Sequence, residues 1–123
     1  MGDEDTTYAL YREGCDRLTT GDPRGAAEVL ELVVQREPEQ ASIYETLARA
    51  YYATARVQRA RWAFEEALAR DPSDAYAHFG VGRCHERLGR FDAAEGHYKL
   101  ACALSPRHDY RDALVRLRAR RAS

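Results

Sequence analysis

Lysine is almost missing from this chain: of its 19 lysines and arginines, only Lys99 is a lysine. Such a bias reads as the coding preference of a GC-rich, bacterial source rather than as a functional signal. Cysteine is scarce too. Cys15, Cys84 and Cys102 are odd in number, far apart and without a C-x-x-C pair, which excludes a disulfide framework and argues against a zinc or dithiol site. They read as free thiols. No stretch approaches the roughly 18 consecutive apolar residues of a membrane span, so no membrane partner is expected. The first seven residues hold Asp3, Glu4 and Asp5 where a secretory leader would be basic and then apolar, so a cytoplasmic location is expected. Also lacking are a glycine-rich phosphate loop, an H-E-x-x-H helix and a G-x-S-x-G elbow. Gly80 and Gly82 have no preceding strand to make a dinucleotide loop. No enzyme activity, cofactor or metal is expected.

What remains is 123 residues that are 45% hydrophobic and 32% charged, the balance of one modest globular domain with no linker. Proline is rare but regular. Three of the four prolines, Pro38, Pro72 and Pro106, stand 34 residues apart, and each precedes a new stretch of helical periodicity. Cutting at that period gives blocks 7–40, 41–74 and 75–108, which align without insertion. An acidic segment, 1–6, expected to be disordered, precedes them, and 109–123 follow.

Equivalent places carry equivalent residues. The eighth is small (Gly14, Ala48, Gly82), as are the twentieth (Ala26, Ala60, Ala94) and the twenty-seventh (Val33, Ala67, Ala101), so that helices can approach closely. The fifteenth holds Gly21, Ala55 and Gly89, where a chain reversal needs a permissive backbone. Each block therefore reads as helix, turn, helix.

This pattern resembles the tetratricopeptide repeat. In the second block the family's signature places hold Tyr44, Leu47, Ala48, Tyr51, Ala60, Phe64, Ala67 and Pro72. The third offers Val81, Gly82, Leu88, Gly89, Phe91, Ala94, Tyr98, Ala101 and Pro106, with His78 and His85 replacing two aromatics. The first departs most, with Glu13 and Arg17 at places that are apolar or aromatic later, as suits the exposed end of a stack. In the tail, Tyr110, Ala113, Leu114 and Leu117 form one apolar helical stripe among arginines. The resemblance implies an all-α, right-handed solenoid of three helical hairpins closed by a capping helix, seven helices in all. It also implies a protein-protein interaction module.

In this family the first helices line a groove, and their second, fifth, ninth and twelfth places face it. Here those places hold Tyr8, Tyr11, Cys15 and Leu18, then Ser42, Glu45, Arg49 and Tyr52, then Tyr76, Phe79, Arg83 and Glu86. Aromatic residues with arginine are the usual anchors of protein interfaces. The expected contact residues are Tyr8, Tyr11, Arg49, Tyr52, Tyr76, Phe79, Arg83 and the neighbouring Arg87. The expected ligand is an extended or helical peptide with apolar side chains and at least one carboxylate. The alternative is that these rings merely pack between adjacent first helices. One subclass of the family grips the C-terminal carboxylate of chaperones with lysine, asparagine and arginine. Its places hold Tyr11, Cys15, Thr46, Tyr76 and Gly80 here, which argues against that mechanism.

Three further features invite interpretation. Trp62 falls at a usually solvent-facing place of a second helix, as a convex contact for a partner or second copy, or as simple packing. Residues 1–40 carry net charge −6 and residues 107–123 carry +4, so head-to-tail self-association into a scaffold is the alternative function. Arg116, Arg118, Arg120 and Arg121 raise nucleic acid as a ligand, but the slightly acidic chain has no accompanying motif and none is expected. His78, His85 and the adjacent Cys84 are read as interhelical packing rather than as a metal or thiol site.

Overall fold

The computed structural model describes residues 3–123, with side chains from Thr6 onward. Seven helices follow one another: α1 (Asp3–Thr19), α2 (Pro23–Arg36), α3 (Ala41–Ala53), α4 (Val57–Arg70), α5 (Ala75–Arg87), α6 (Phe91–Leu104) and α7 (His108–Ala122). The helix of the first block thus starts at Asp3, ahead of the expected boundary at Thr7. The expectation of disorder over 1–6 falls partly on Met1 and Gly2, which lie outside the described residues.

Helices of 13 or 14 residues are marginal alone in water, so their stability has to come from the faces they bury. Local signals only fix where they begin and end. Asp22 caps α2 by accepting from Gly25 N at 3.0 Å, with Pro23 supplying a preset φ. Asp74 does the same for α5 through Ala77 N at 3.1 Å. Between the two helices of each hairpin the chain passes through positive φ at the fifteenth place: 89° at Gly21, 62° at Ala55 and 77° at Gly89. Two repeats meet that backbone demand with glycine, and the middle one meets it with a residue that pays for its Cβ.

The small places do what their spacing implied. Ala26, Ala48, Ala60, Ala67, Ala94 and Ala101 are fully buried, and they join Leu30, Leu47, Tyr51, Phe64 and Val81 in the stack. A Cβ added at Gly82 would fall 2.6 Å from the Tyr98 ring, and one at Gly14 would fall 2.7 Å from Leu30, so the eighth place is sized by the large residue opposite it. α7 lays Tyr110, Ala113 and Leu117 over the open edge of the third hairpin, against Ala94, Tyr98, Phe79 and Phe91. Its arginines then fasten it: Arg118 and Arg121 to Glu95, Arg121 also to Asp92, and Arg120 to Glu86. Most of the positive charge of the tail is therefore neutralised within the molecule.

The loops are tied to the helices that follow them. The carbonyl of Pro38 accepts from Tyr44 Oη at 3.1 Å and from Arg70 Nε at 2.7 Å. One repeat later, His78 Nε2 lies 3.0 Å from the carbonyl of Pro72. A carbonyl can only accept, so His78 donates from Nε2, as Tyr44 donates from its hydroxyl. The histidine thus reproduces the bond of the aromatic it replaces.

Candidate functional site

The first helices α1, α3 and α5 lie side by side, and the stripe singled out by its spacing faces a trough between them. Leu18, Arg49, Tyr52, Ala53, Phe64, Tyr76, Gly80 and Arg83 line a cavity of about 440 Å³ at its middle. Toward α7 a second cavity of about 190 Å³ shares Tyr52 and Arg83, and adds Phe79, Glu86, Arg87, Tyr98, Arg116 and Arg120. At the other end Tyr8 and Tyr11 meet Thr7, Val33, Glu37, Gln40, Ser42 and Ile43 around about 240 Å³. All eight expected contact residues therefore line one of three cavities along the same helices.

Within the trough the arginines are held by rings rather than by acids. The Arg83 guanidinium lies 4.1 Å from the centre of the Tyr52 ring and 5.2 Å from that of Phe79. Arg87 lies 5.2 Å from Tyr52, and Arg49 lies 6.0 Å from Tyr76. Tyr76 in turn packs between Phe64 and Phe79, each 6.1 Å away. Stacking fixes a guanidinium while leaving its edge N–H donors free for a planar anion. Among the described residues no carboxylate lies within ion-pair distance of Arg49, Arg83, Arg87 or Arg116, and the ion pairs from α7 to the third hairpin are made by Arg118, Arg120 and Arg121.

The two readings of the aromatic stripe divide by residue. Tyr8 is 63% exposed and free to contact a ligand. Tyr11, Tyr52 and Tyr76 are half-buried against the stack, and Phe79 is half-buried under the cap, so they are at once packing residues and trough walls. Thr46 donates its only hydroxyl proton to the Ser42 carbonyl at 2.9 Å, so the 3.2 Å contact with Tyr11 is donated by the tyrosine. Glu45, in the same stripe, has its carboxyl pushed up to about 8 by burial, then by Asp74 and Asp71, against the pull of Arg49. Trp62 is 47% exposed on the opposite side, with its ring edge-on to Tyr44 at 6.1 Å.

Sequence spacing did not join His97 to the other histidines, and the fold does. His78 and His97 stack at 5.4 Å with their Nδ1 atoms 3.1 Å apart, and His85 stacks on His97 at 5.8 Å. With Nε2 as its donor, the singly protonated form of His78 has Nδ1 as an acceptor for His97. Burial lowers the basicity of both His97 and His85, and His85 Nδ1 is buried with no hydrogen-bond partner. Among the described residues no group of three histidine, cysteine, aspartate or glutamate side chains could hold a metal ion. The Cys84 thiol is buried and pushed up to about 11, the opposite of an activated nucleophile. No described helix is long and apolar enough to cross a membrane.

The class this defines is an α-solenoid of three stacked hairpins with a capping helix and a trough along its first helices. The tetratricopeptide repeat family model matches residues 11–61 and 45–109, and the chain belongs to that family. No curated protein matches it at a significant level. Among solved structures it is similar to the Arabidopsis OM64 TPR domain, with a TM-score of 0.92, 20% identity, and 96% of this chain and 98% of that one covered. It is similar also to the first TPR of Spaghetti (RPAP3) bound to the HSP90 peptide SRMEEVD (0.91, 19%, 95% and 94%). A third is the Yersinia enterocolitica type III secretion chaperone SycD in complex with a peptide of the translocator YopD (0.87, 16%, 95% and 95%). At these identities the likeness is one of fold.

Proposed function

We propose that this chain is a non-enzymatic adaptor that binds a protein segment in the trough of its first helices, through Tyr8, Tyr11, Arg49, Tyr52, Tyr76, Phe79, Arg83 and Arg87. One observation carries the reading: Arg49 and Arg83 stand on aromatic rings in one cavity, and among the described residues no carboxylate lies within ion-pair distance of either. Arg83 is half-buried and Arg49 is exposed beside it, and a stacked guanidinium with no ion-pair partner keeps donors that a ligand carboxylate would complete. The aromatic walls supply apolar contact beside the charge. Two of the proteins with this fold hold peptides, RPAP3 an HSP90 peptide and SycD a YopD peptide, which supports a peptide as the class of ligand. The places of the chaperone-tail clamp hold Tyr11, Cys15, Thr46, Tyr76 and Gly80, so the ligand would be held here by other residue types than the lysine, asparagine and arginine of that clamp.

The test is an affinity capture with wild type and with Arg49→Glu/Arg83→Glu. Both side chains are on the surface of the trough, so the variant should keep its helical circular dichroism. It should lose the dominant partner. An unchanged partner set with intact folding refutes the proposal.

A further inference from the structure

The cavity beside the capping helix is chemically unlike the rest of the trough. Four arginines line it, Arg83 and Arg87 from α5 and Arg116 and Arg120 from α7, against one acid, Glu86. That acid is already engaged: Glu86 accepts from Tyr98 Oη at 2.8 Å and pairs with Arg120 through its other oxygen. Arg83, Arg87 and Arg116 are left with no carboxylate within ion-pair distance among the described residues, around a space of about 190 Å³. Tyr52 contacts both Arg83 and Arg87, and Phe79 contacts Arg83, through the faces of their rings, which leaves the in-plane N–H donors of the guanidinium groups available.

We infer that this cavity is the acidic-residue subsite of the peptide trough, and that the capping helix is part of the ligand-binding surface as well as a lid on the core. The inference rests on the trough being a peptide site. The occupant is an extended segment with two carboxylates on alternate residues, Asp or Glu at i and i+2, and the spacing argues for it. Arg83 and Arg87 are one turn apart on α5, about 6 Å along its axis. Alternate side chains of an extended chain fall on one side about 6.7 Å apart. Each carboxylate can then take one guanidinium edge on α5, while Arg116 closes over the pair from α7. A single phosphate would concentrate its charge at one point and leave one α5 arginine unmatched.

The probes are three fluorescein-labelled peptides of one apolar sequence, containing Glu-Ala-Glu, Gln-Ala-Gln, or one phosphoserine in place of the two glutamates. Binding is read by anisotropy at low salt, where charge pairs are least screened. The Glu-Ala-Glu probe should bind roughly tenfold or more tighter than the Gln-Ala-Gln probe, as two charge-assisted contacts imply. Arg87→Gln/Arg116→Gln should abolish that preference while the charge-matched Arg24→Gln/Arg59→Gln, at exposed positions of α2 and α4 outside the trough, preserves it. Both variants change surface residues, and circular dichroism checks that they fold. Equal binding of the glutamate and glutamine probes overturns the subsite and leaves the trough standing. A preference that survives Arg87→Gln/Arg116→Gln, tighter binding of the phosphoserine probe, or no binding of any probe also overturns it. The affinity capture with Arg49→Glu/Arg83→Glu decides the trough separately.

Discussion

Replacing Ala55 by glycine should stabilise this protein, although it removes a methyl group and adds backbone freedom. Ala55 is held at φ 62°, in the left-handed region where a Cβ crowds the following carbonyl oxygen. That conformation costs an alanine about 1–2 kcal/mol relative to glycine. The unfolded chain gives back part of the gain, because glycine loses about 0.4–1 kcal/mol more backbone entropy on folding. The methyl is exposed, so no packing is lost. The net expectation is a gain of about 1 kcal/mol, which for a chain of this size is about 4 °C in Tm. The two equivalent turns supply the reciprocal experiment. Nothing lies within 4 Å of a Cβ added at Gly21 or Gly89, so alanine there tests the backbone and nothing else. Gly21→Ala and Gly89→Ala should each lose about what Ala55→Gly gains, and Ala55→Gly/Gly89→Ala should return close to wild type. Thermal unfolding followed by circular dichroism reads all four. A lower Tm for Ala55→Gly, or no loss on placing alanine at Gly21 and Gly89, would refute the assignment of the fifteenth place as a left-handed turn.

Two further outcomes follow from the stack itself. Ala48→Leu places three extra carbons at a fully buried site sized for a small residue and should cost about 1–3 kcal/mol by chemical denaturation; an unchanged midpoint would count against the repeat register. Glu45 gives a pH signature whose sign is set by its raised value. The folded state keeps its proton up to about pH 8 while the unfolded carboxyl loses it near 4.5, so its contribution to stability is full below 4.5 and disappears as pH rises to 8. Glu45→Gln should therefore gain on wild type steadily from pH 4.5 to 8 and hold a constant difference above that. His85 and His97, whose basicity is lowered, act oppositely, losing stability as pH falls below about 6.5, and comparing the two proteins at each pH cancels them. A difference between the two proteins that does not change over pH 4.5–8 would rule out the burial of the Glu45 carboxyl.

How much of this was readable in advance depends on whether a feature is local or repeated. The prolines at 38, 72 and 106, the small residues at the eighth and twentieth places and the apolar stripe of 110–117 define the hairpins and the cap, because each acts within a turn or two of helix. Seven of the eight expected contact residues came from the stripe that the family resemblance assigns to the groove, and Arg87 joins them as their neighbour; residues on one face of equivalent helices share one surface once the helices stack. The division of that surface did not come from that stripe. Whether Tyr11 is ligand wall or packing depends on its bond to Thr46, 35 residues away, and whether His78 and His85 are isolated depends on His97 from the next helix.

The sequence by itself therefore determined the repeat, its turns and its capping helix, through short-range periodicity that any stacked arrangement of these hairpins must obey. Only the tertiary structure decided which arginines are neutralised. Arg118, Arg120 and Arg121 look like Arg116 in sequence, yet Glu86, Asp92 and Glu95 lie within reach of the first three alone. Arg116 instead lines a cavity with Arg83 and Arg87 of α5, because packing on the third hairpin brings Arg118 and Arg121 to the acids of α6 and leaves Arg116 beside α5.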